Sequence, residues 1–268
     1  MLVAFKLLFV ILLATFFIKF IIELIFKSKN TYFGIAKPKF DKAYHLLQGT
    51  LAVYILFLHG VIILGATFTI TYLVYSILIG TIAELIFLKT DCLGKFHYTD
   101  RVKPKLFGIL PFYVPIMWSI LSYLGLWTAI VLLHDTSTNF LLSNPFVFLL
   151  SPLLITIYDL LGDPIAVEDE YWIWHEKGSY YGIPTMNYIG WLITSAIISI
   201  PLLWQIKTTH LEIQHSWILY TPAFGYYFYL LVWIKICHEK KLFMARNIGF
   251  LTIIALSIWG VLKGFSVL

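Results

Sequence analysis

The sequence predicts an all-α, polytopic integral membrane helix bundle of about eight transmembrane helices, with one candidate re-entrant loop. Three observations predict it. Of the 268 residues, 60% are hydrophobic and only 12% charged, with a mean hydropathy of +0.86. A soluble chain of this length has too little interior to hide so much apolar surface. The apolar residues fall in runs long enough to cross a bilayer core, which takes about 20 residues per helix. The basic residues are sorted by loop, as topology requires of a membrane protein.

Taken in order, the expected spans lie near Leu2–Phe26, His45–Leu64, Ala66–Leu88, Phe107–Leu133, Phe140–Gly162, Asn187–Gln205, Trp217–Ile236 and Ile248–Gly264. The first follows a lone Lys6, is too long for a signal peptide and has no small-x-small cleavage site, so a retained helix is expected. The second and third form one apolar run of about twice the length of a span, split here at His59-Gly60 and Gly65. The expected fifth span carries Asp159 and Asp163 at its end. No Gly/Ser-rich linker interrupts the chain, so residues 1–268 read as a single transmembrane domain.

Lys27, Lys29, Lys37, Lys39 and Lys42 fall in the first loop, and Lys89, Lys95, Arg101, Lys103 and Lys105 in the third. Lys177 is in the fifth; Lys235, Lys240, Lys241 and Arg246 are in or beside the seventh. The positive-inside rule then makes the odd-numbered loops cytoplasmic and turns both termini outward, with the cell membrane as the expected location. That charge is accounted for by topology and contact with anionic membrane lipids, and it gives no reason to expect nucleic acid as a partner. Cys92 and Cys237 both fall on the expected cytoplasmic side, where a disulfide is not expected.

The polar exceptions gather at the cytoplasmic ends of the spans. Glu84 lies inside GTIAELIFL, followed by the loop LGKFHYTDRVKPKLFG. Asp159 and Asp163 begin the stretch YDLLGDPIAVEDEYWIWHEKGSYYGIPTMNYIGW, which runs to Trp191. Ionisable groups at membrane depth are costly and usually functional or paired. Four residues apart on a helix, Asp159 and Asp163 share a face one turn from each other. Two carboxylates that close cannot both ionise cheaply, so a proton is expected on one of them, available for donation. The plainer alternative is a helix end whose acids are solvated or paired. Glu84 reads equally as a catalytic group or as a hydrogen-bonding anchor between helices.

Of Glu168, Asp169 and Glu170, at least two are expected to be a wet, solvated face. Trp172 and Trp174 suit either an interfacial belt or a wall that stabilises positive charge. Tyr180, Tyr181 and Gly182 before Pro184 suit a tight non-helical turn, the candidate re-entrant loop. The eight histidines are scattered, and a lone His175 reads as a hydrogen-bonding or proton-relay group and not as a ligand. No His box, HExxH, Walker A, GxSxG or GxGxxG occurs, and no Cys pair suits zinc, so chemistry without a metal or bound redox cofactor is expected.

At these residues the chain resembles the carotenoid biosynthesis protein family, whose characterised members are carotenoid hydratases, including bisanhydrobacterioruberin hydratase. The matching blocks are AELIFLKTDCLGKFHYTDRVKPKLFG and DLLGDPIAVEDEYWIWHEKGSYYGIPTMNYIGW, about a quarter of the chain. They carry the family pattern at Glu84, Gly94, Tyr98, Thr99, Asp159, Asp163, Pro164, Trp172, Trp174, Gly178, Tyr180, Tyr181, Gly182, Pro184, Asn187, Gly190 and Trp191. The chain departs from the pattern at Phe96, where the family has Tyr, and in the heavier acidic run Glu168–Glu170.

The resemblance implies addition of water across the terminal double bond of an acyclic carotenoid (a ψ-end group), giving a tertiary alcohol. Asp159 or Asp163 would protonate the alkene, with Glu84 as partner or water-orienting base. Trp172, Trp174, Tyr180 and Tyr181 would wall the resulting cation, Asn187 and Tyr98 would hold the water, and Trp191 belongs to the same substrate-binding block. The rivals are an intramembrane prenyltransferase using Asp-x3-Asp with magnesium and a diphosphate, a carotenoid cyclase, and a lipid-binding, carotenoid-binding or proton-coupled transport protein.

Overall fold

The computed structural model describes residues 1–26, 31–33, 35–133, 145–208 and 217–265. Among them are eight α-helices: α1 (Leu2–Ile25), α2 (Lys37–Leu64), α3 (Ala66–Thr90), α4 (Tyr113–Leu133), α5 (Pro145–Glu168), α6 (Thr185–Thr208), α7 (Thr221–Glu239) and α8 (Phe243–Phe265). Seven described helical stretches are long and apolar enough to cross a membrane, and α6 occupies the stretch expected as the sixth span. The protein is a polytopic, all-α integral membrane protein.

The chain divides into two compact units, Met1–Ile70 and Thr71–Leu268. In the first, α1 packs on α2. The Tyr44 hydroxyl donates to the Thr15 carbonyl (2.6 Å), and the Gln48 amide donates to the Thr15 hydroxyl (3.4 Å). The long apolar run breaks at Gly65, whose φ of +86° suits glycine, and α3 begins at the next residue.

The second unit is built around α4, which is buried almost all round and packs against α5 and α7; α5 in turn packs against α6. Helices approach closely where small residues allow it. A Cβ on Gly125 of α4 would lie 2.4 Å from Ile155 of α5, and one on Gly162 of α5 would lie 1.8 Å from Trp233 of α7. Helices α5 and α7 also exchange hydrogen bonds: Tyr158 donates to the Tyr226 carbonyl and Tyr226 to the Leu154 carbonyl, each at 2.8 Å. The outward faces carry Leu149, Leu153, Ile193, Ile197, Phe224, Leu231, Leu251 and Ile254, all exposed. A water-facing surface so apolar would aggregate, whereas lipid tails cover it.

Two expectations are corrected. The Asp159/Asp163 pair is not at a helix end, because α5 runs through Pro164 to Glu168. A proline inside a helix removes one N–H and frees the carbonyl four residues earlier. Here that carbonyl is Leu160, and the Tyr180 hydroxyl donates to it at 2.7 Å. The same device recurs in α6, where Pro201 frees the Ile197 carbonyl and Tyr75 of α3 donates to it at 3.2 Å. Next, residues Phe107–Phe112 precede α4 instead of belonging to it, since a short antiparallel pair, Lys105–Leu106 with Leu110–Pro111, turns the chain there. The seventh span lies where expected, at Trp217–Glu239, and opens with a 3-10 turn, Trp217–Tyr220, before Thr221 and Pro222 start α7. Residues 140–144 of the expected fifth span lie outside the described residues.

Candidate functional site

Two three-residue strands position the site. Phe96–Tyr98, from the loop after α3, pairs antiparallel with Trp172–Trp174, from the segment after α5. Alternate residues of a strand share a face, so Phe96 and Tyr98 stand over Trp174 and Trp172. The rings are in contact, at 4.7 Å for Phe96–Trp174 and 5.7 Å edge-on for Tyr98–Trp172. The other face carries His97 opposite Ile173, and His97 Nδ1 lies 2.9 Å from His175 Nε2. His175 thus has a hydrogen-bonding partner at the exposed rim.

The buried face meets three carboxyls. Glu84 is 5% exposed, Asp159 6% and Asp163 2%. Groups so placed need partners. Glu84 accepts from the Tyr98 hydroxyl (2.9 Å) on one oxygen and from the Trp118 indole N–H (3.0 Å) on the other. Asp163 accepts from the Trp172 indole N–H (2.5 Å) and from the Asn187 amide (2.7 Å). The same amide nitrogen donates to Asp159 at 2.9 Å, so one Asn187 side chain bridges both aspartates. Trp118 stacks on Trp191 with ring centres 4.0 Å apart. Among the described residues no lysine or arginine pairs with any of the three carboxyls.

Two polar atoms beside the pair are buried without a hydrogen-bond partner, the Trp174 indole N–H and the Tyr188 hydroxyl. The Tyr188 ring packs edge-on against Tyr180 at 5.8 Å.

The segment between α5 and α6 folds back over the pair. Tyr181 and Gly182 have φ of +51° and +79°, as in a type I′ turn closed by the Ile183 N–H to the Tyr180 carbonyl (2.9 Å). Gly178 lies so near this turn that a Cβ would come within 1.8 Å of the Ile183 carbonyl oxygen. Tyr180 is tied to Leu160 beside Asp159. Tyr181 points elsewhere: its hydroxyl accepts the Met244 N–H (2.9 Å) at the start of α8.

Burial, with the Glu84 charge adding to it, pushes the Tyr98 hydroxyl well above the usual phenol range, so it remains a donor. Burial raises Tyr180 likewise. Lys103 and Lys105 hold the exposed Asp100 carboxyl below its usual range. In the acidic run, Glu170 pairs with Arg101 and Asp169 with Lys240 (2.5 Å).

Of the residues singled out in the sequence, Glu84, Tyr98, Asp159, Asp163, Trp172, Trp174, Tyr180, Asn187 and Trp191 meet in this one cluster or line it. Tyr181 does not. Trp118 and Tyr188 belong to it and had not been singled out, since a Trp or Tyr in an apolar stretch carries no mark of its own. The described residues contain no group of three or more His, Cys, Asp or Glu side chains suited to a metal ion.

A model of the family described as carotenoid biosynthesis protein matches residues 42–256, which include every residue of the cluster. Bisanhydrobacterioruberin hydratase of Haloarcula japonica is 32% identical over 105 residues, covering 39% of this chain. The match spans about a third, 34%, of that relative's length. No solved structure matches.

Proposed function

The chain belongs to the carotenoid biosynthesis protein family, and from that premise we propose that it hydrates the terminal double bond of an acyclic carotenoid. The observation that carries this reading is the aspartate pair in α5, buried, bridged by one Asn187 amide and set beside indole rings. A similar stretch of a hydratase adds weight to it.

Asp159 is the proton donor in this reading. Asp163 accepts two N–H donors and Asp159 one, and each donor favours the charged form of the carboxyl it meets. The shared proton therefore rests on Asp159. It passes to the alkene carbon that bears hydrogen, and the π pair forms the new C–H bond. A tertiary cation develops at the dimethyl carbon. Trp172, Trp174 and the Trp118/Trp191 stack offer it ring faces in a site shielded from bulk water. Water attacks that carbon, loses one proton and leaves the tertiary alcohol. The proton returns to the aspartate pair, so the site ends as it began. Glu84, held by Tyr98 and Trp118, supplies a fixed third carboxyl to the cluster.

The test is expression in a host that accumulates lycopene or bisanhydrobacterioruberin. The expected product is heavier by one water per end group. A product of unchanged mass with closed rings would assign a cyclase instead, and unchanged substrate would overturn the reading.

A further inference from the structure

Pro164 leaves one rung out of the α5 ladder, in the turn that carries the aspartates. In an α-helix each N–H meets the carbonyl four residues back. Residue 164 has no N–H to give to the Leu160 carbonyl. Asp159 stands immediately before Leu160, and Asp163 immediately before Pro164. The backbone joining the two carboxyls is therefore where the ladder is weakest. The Tyr180 hydroxyl supplies the missing donor at 2.7 Å. Further along the same segment, Asn187 bridges both carboxyls of that turn at 2.9 and 2.7 Å. The backbone between these two side chains is itself tied. The Tyr180 carbonyl accepts the Ile183 N–H (2.9 Å), and the Pro184 carbonyl accepts the Asn187 N–H (3.0 Å).

Building on the hydratase reading, we infer that Tyr180 is a positioning residue. Its hydroxyl stands in for the N–H that Pro164 lacks, and so holds Asp159 and Asp163 at the spacing that one Asn187 amide can bridge. It acts through the Leu160 carbonyl and not through its ring. This differs from the cation wall that the family resemblance implies for Tyr180. The two roles separate at one atom. A phenylalanine keeps a ring face that attracts a cation, but gives the Leu160 carbonyl no hydrogen. An alanine at 164 returns a backbone N–H to that carbonyl. A wall predicts that Tyr180→Phe is silent. A positioning role predicts that it is damaging and that Pro164→Ala repairs the damage.

Wild-type protein, Tyr180→Phe, Pro164→Ala and the double variant are compared in membranes supplied with lycopene. In Tyr180→Phe, kcat should fall roughly ten- to hundredfold, the upper figure being the loss for a reacting group misplaced by about 1 Å, while KM stays near wild type. Adding Pro164→Ala should return most of that loss. Thermal melts in detergent should show the same repair, because the two positions serve one acceptor. Tyr75→Phe is the control. Tyr75 fills the equivalent gap that Pro201 leaves at Ile197, far along α6 from Asn187. Its loss should lower the melting midpoint and leave kcat unchanged. Wild-type kcat in Tyr180→Phe would overturn the inference. So would a double variant no more active than Tyr180→Phe, or an equal loss of kcat in Tyr75→Phe. If Tyr180→Phe does not fold, the double variant decides: folded and active supports the inference, unfolded or inactive overturns it. Wild-type protein that leaves lycopene unchanged sinks the hydratase reading, a separate failure, and the melts then decide the fastening of Leu160 by themselves.

Discussion

Tyr98 and Trp172 stand opposite each other across a three-residue strand pair, and each gives its hydrogen to a different buried carboxyl. The pairing joins the Glu84 end of α3 to the Asp163 turn of α5. Removing the Tyr98 oxygen leaves Glu84 with Trp118 alone. Tyr98→Phe should cost about 1–3 kcal/mol of stability, the loss for a buried acceptor deprived of one donor. A thermal melt in detergent measures it, and an unchanged midpoint would mean that the contact contributes nothing.

The aspartates should not be equivalent. Asp159→Asn should lower hydration by roughly 10²–10⁴-fold, the range for a lost general acid. Asp163→Asn retains a proton donor at 159 and should fall by less than that range. Product formed per unit of membrane protein decides the order, and equal activities would remove the asymmetry argued from their hydrogen bonds.

Gly94 has a φ of +103°, and a Cβ there would lie 2.7 Å from Pro184. Gly94→Ala meets a backbone penalty and a clash together, which should destabilise the protein by about 2 kcal/mol or more. The substitution should also loosen the turn over the aspartates, so activity and the thermal midpoint should fall together.

The surface ion pair of Arg101 with Glu170 lies where both side chains are 60% exposed. Exposed pairs contribute little because water and salt screen them. Arg101→Gln should shift stability by less than about 1 kcal/mol. A larger change in a denaturation curve would make this contact a structural anchor.

Much of the fold was legible because apolar runs and their breaks follow the physics of a bilayer. Gly65 marked the break between α2 and α3, and the four-residue spacing of Asp159 and Asp163 placed them on one face. The end of α5 was misplaced because Pro164 reads as a stop signal, and only Tyr180, 20 residues from Leu160, shows why the helix continues. The strand pair was hidden for a similar reason. Three-residue strands have no periodicity to detect, and His97 and His175, which meet at its rim, are 78 residues apart. Trp118 lies in the ordinary-looking run PIMWSIL, and nothing local says that its N–H meets an acid.

The three carboxyls receive hydrogens only from indole, phenol and amide groups, with no basic side chain opposite them among the described residues. Such a site lacks a resident counterion. A substrate-shaped amine, positively charged at the carbon that becomes cationic, would fill that role permanently instead of for the lifetime of an intermediate. It should bind about 10²-fold or more tightly than the neutral carotenoid, as transition-state mimics do, and Asp159→Asn should weaken it. Competition against lycopene turnover would measure the difference.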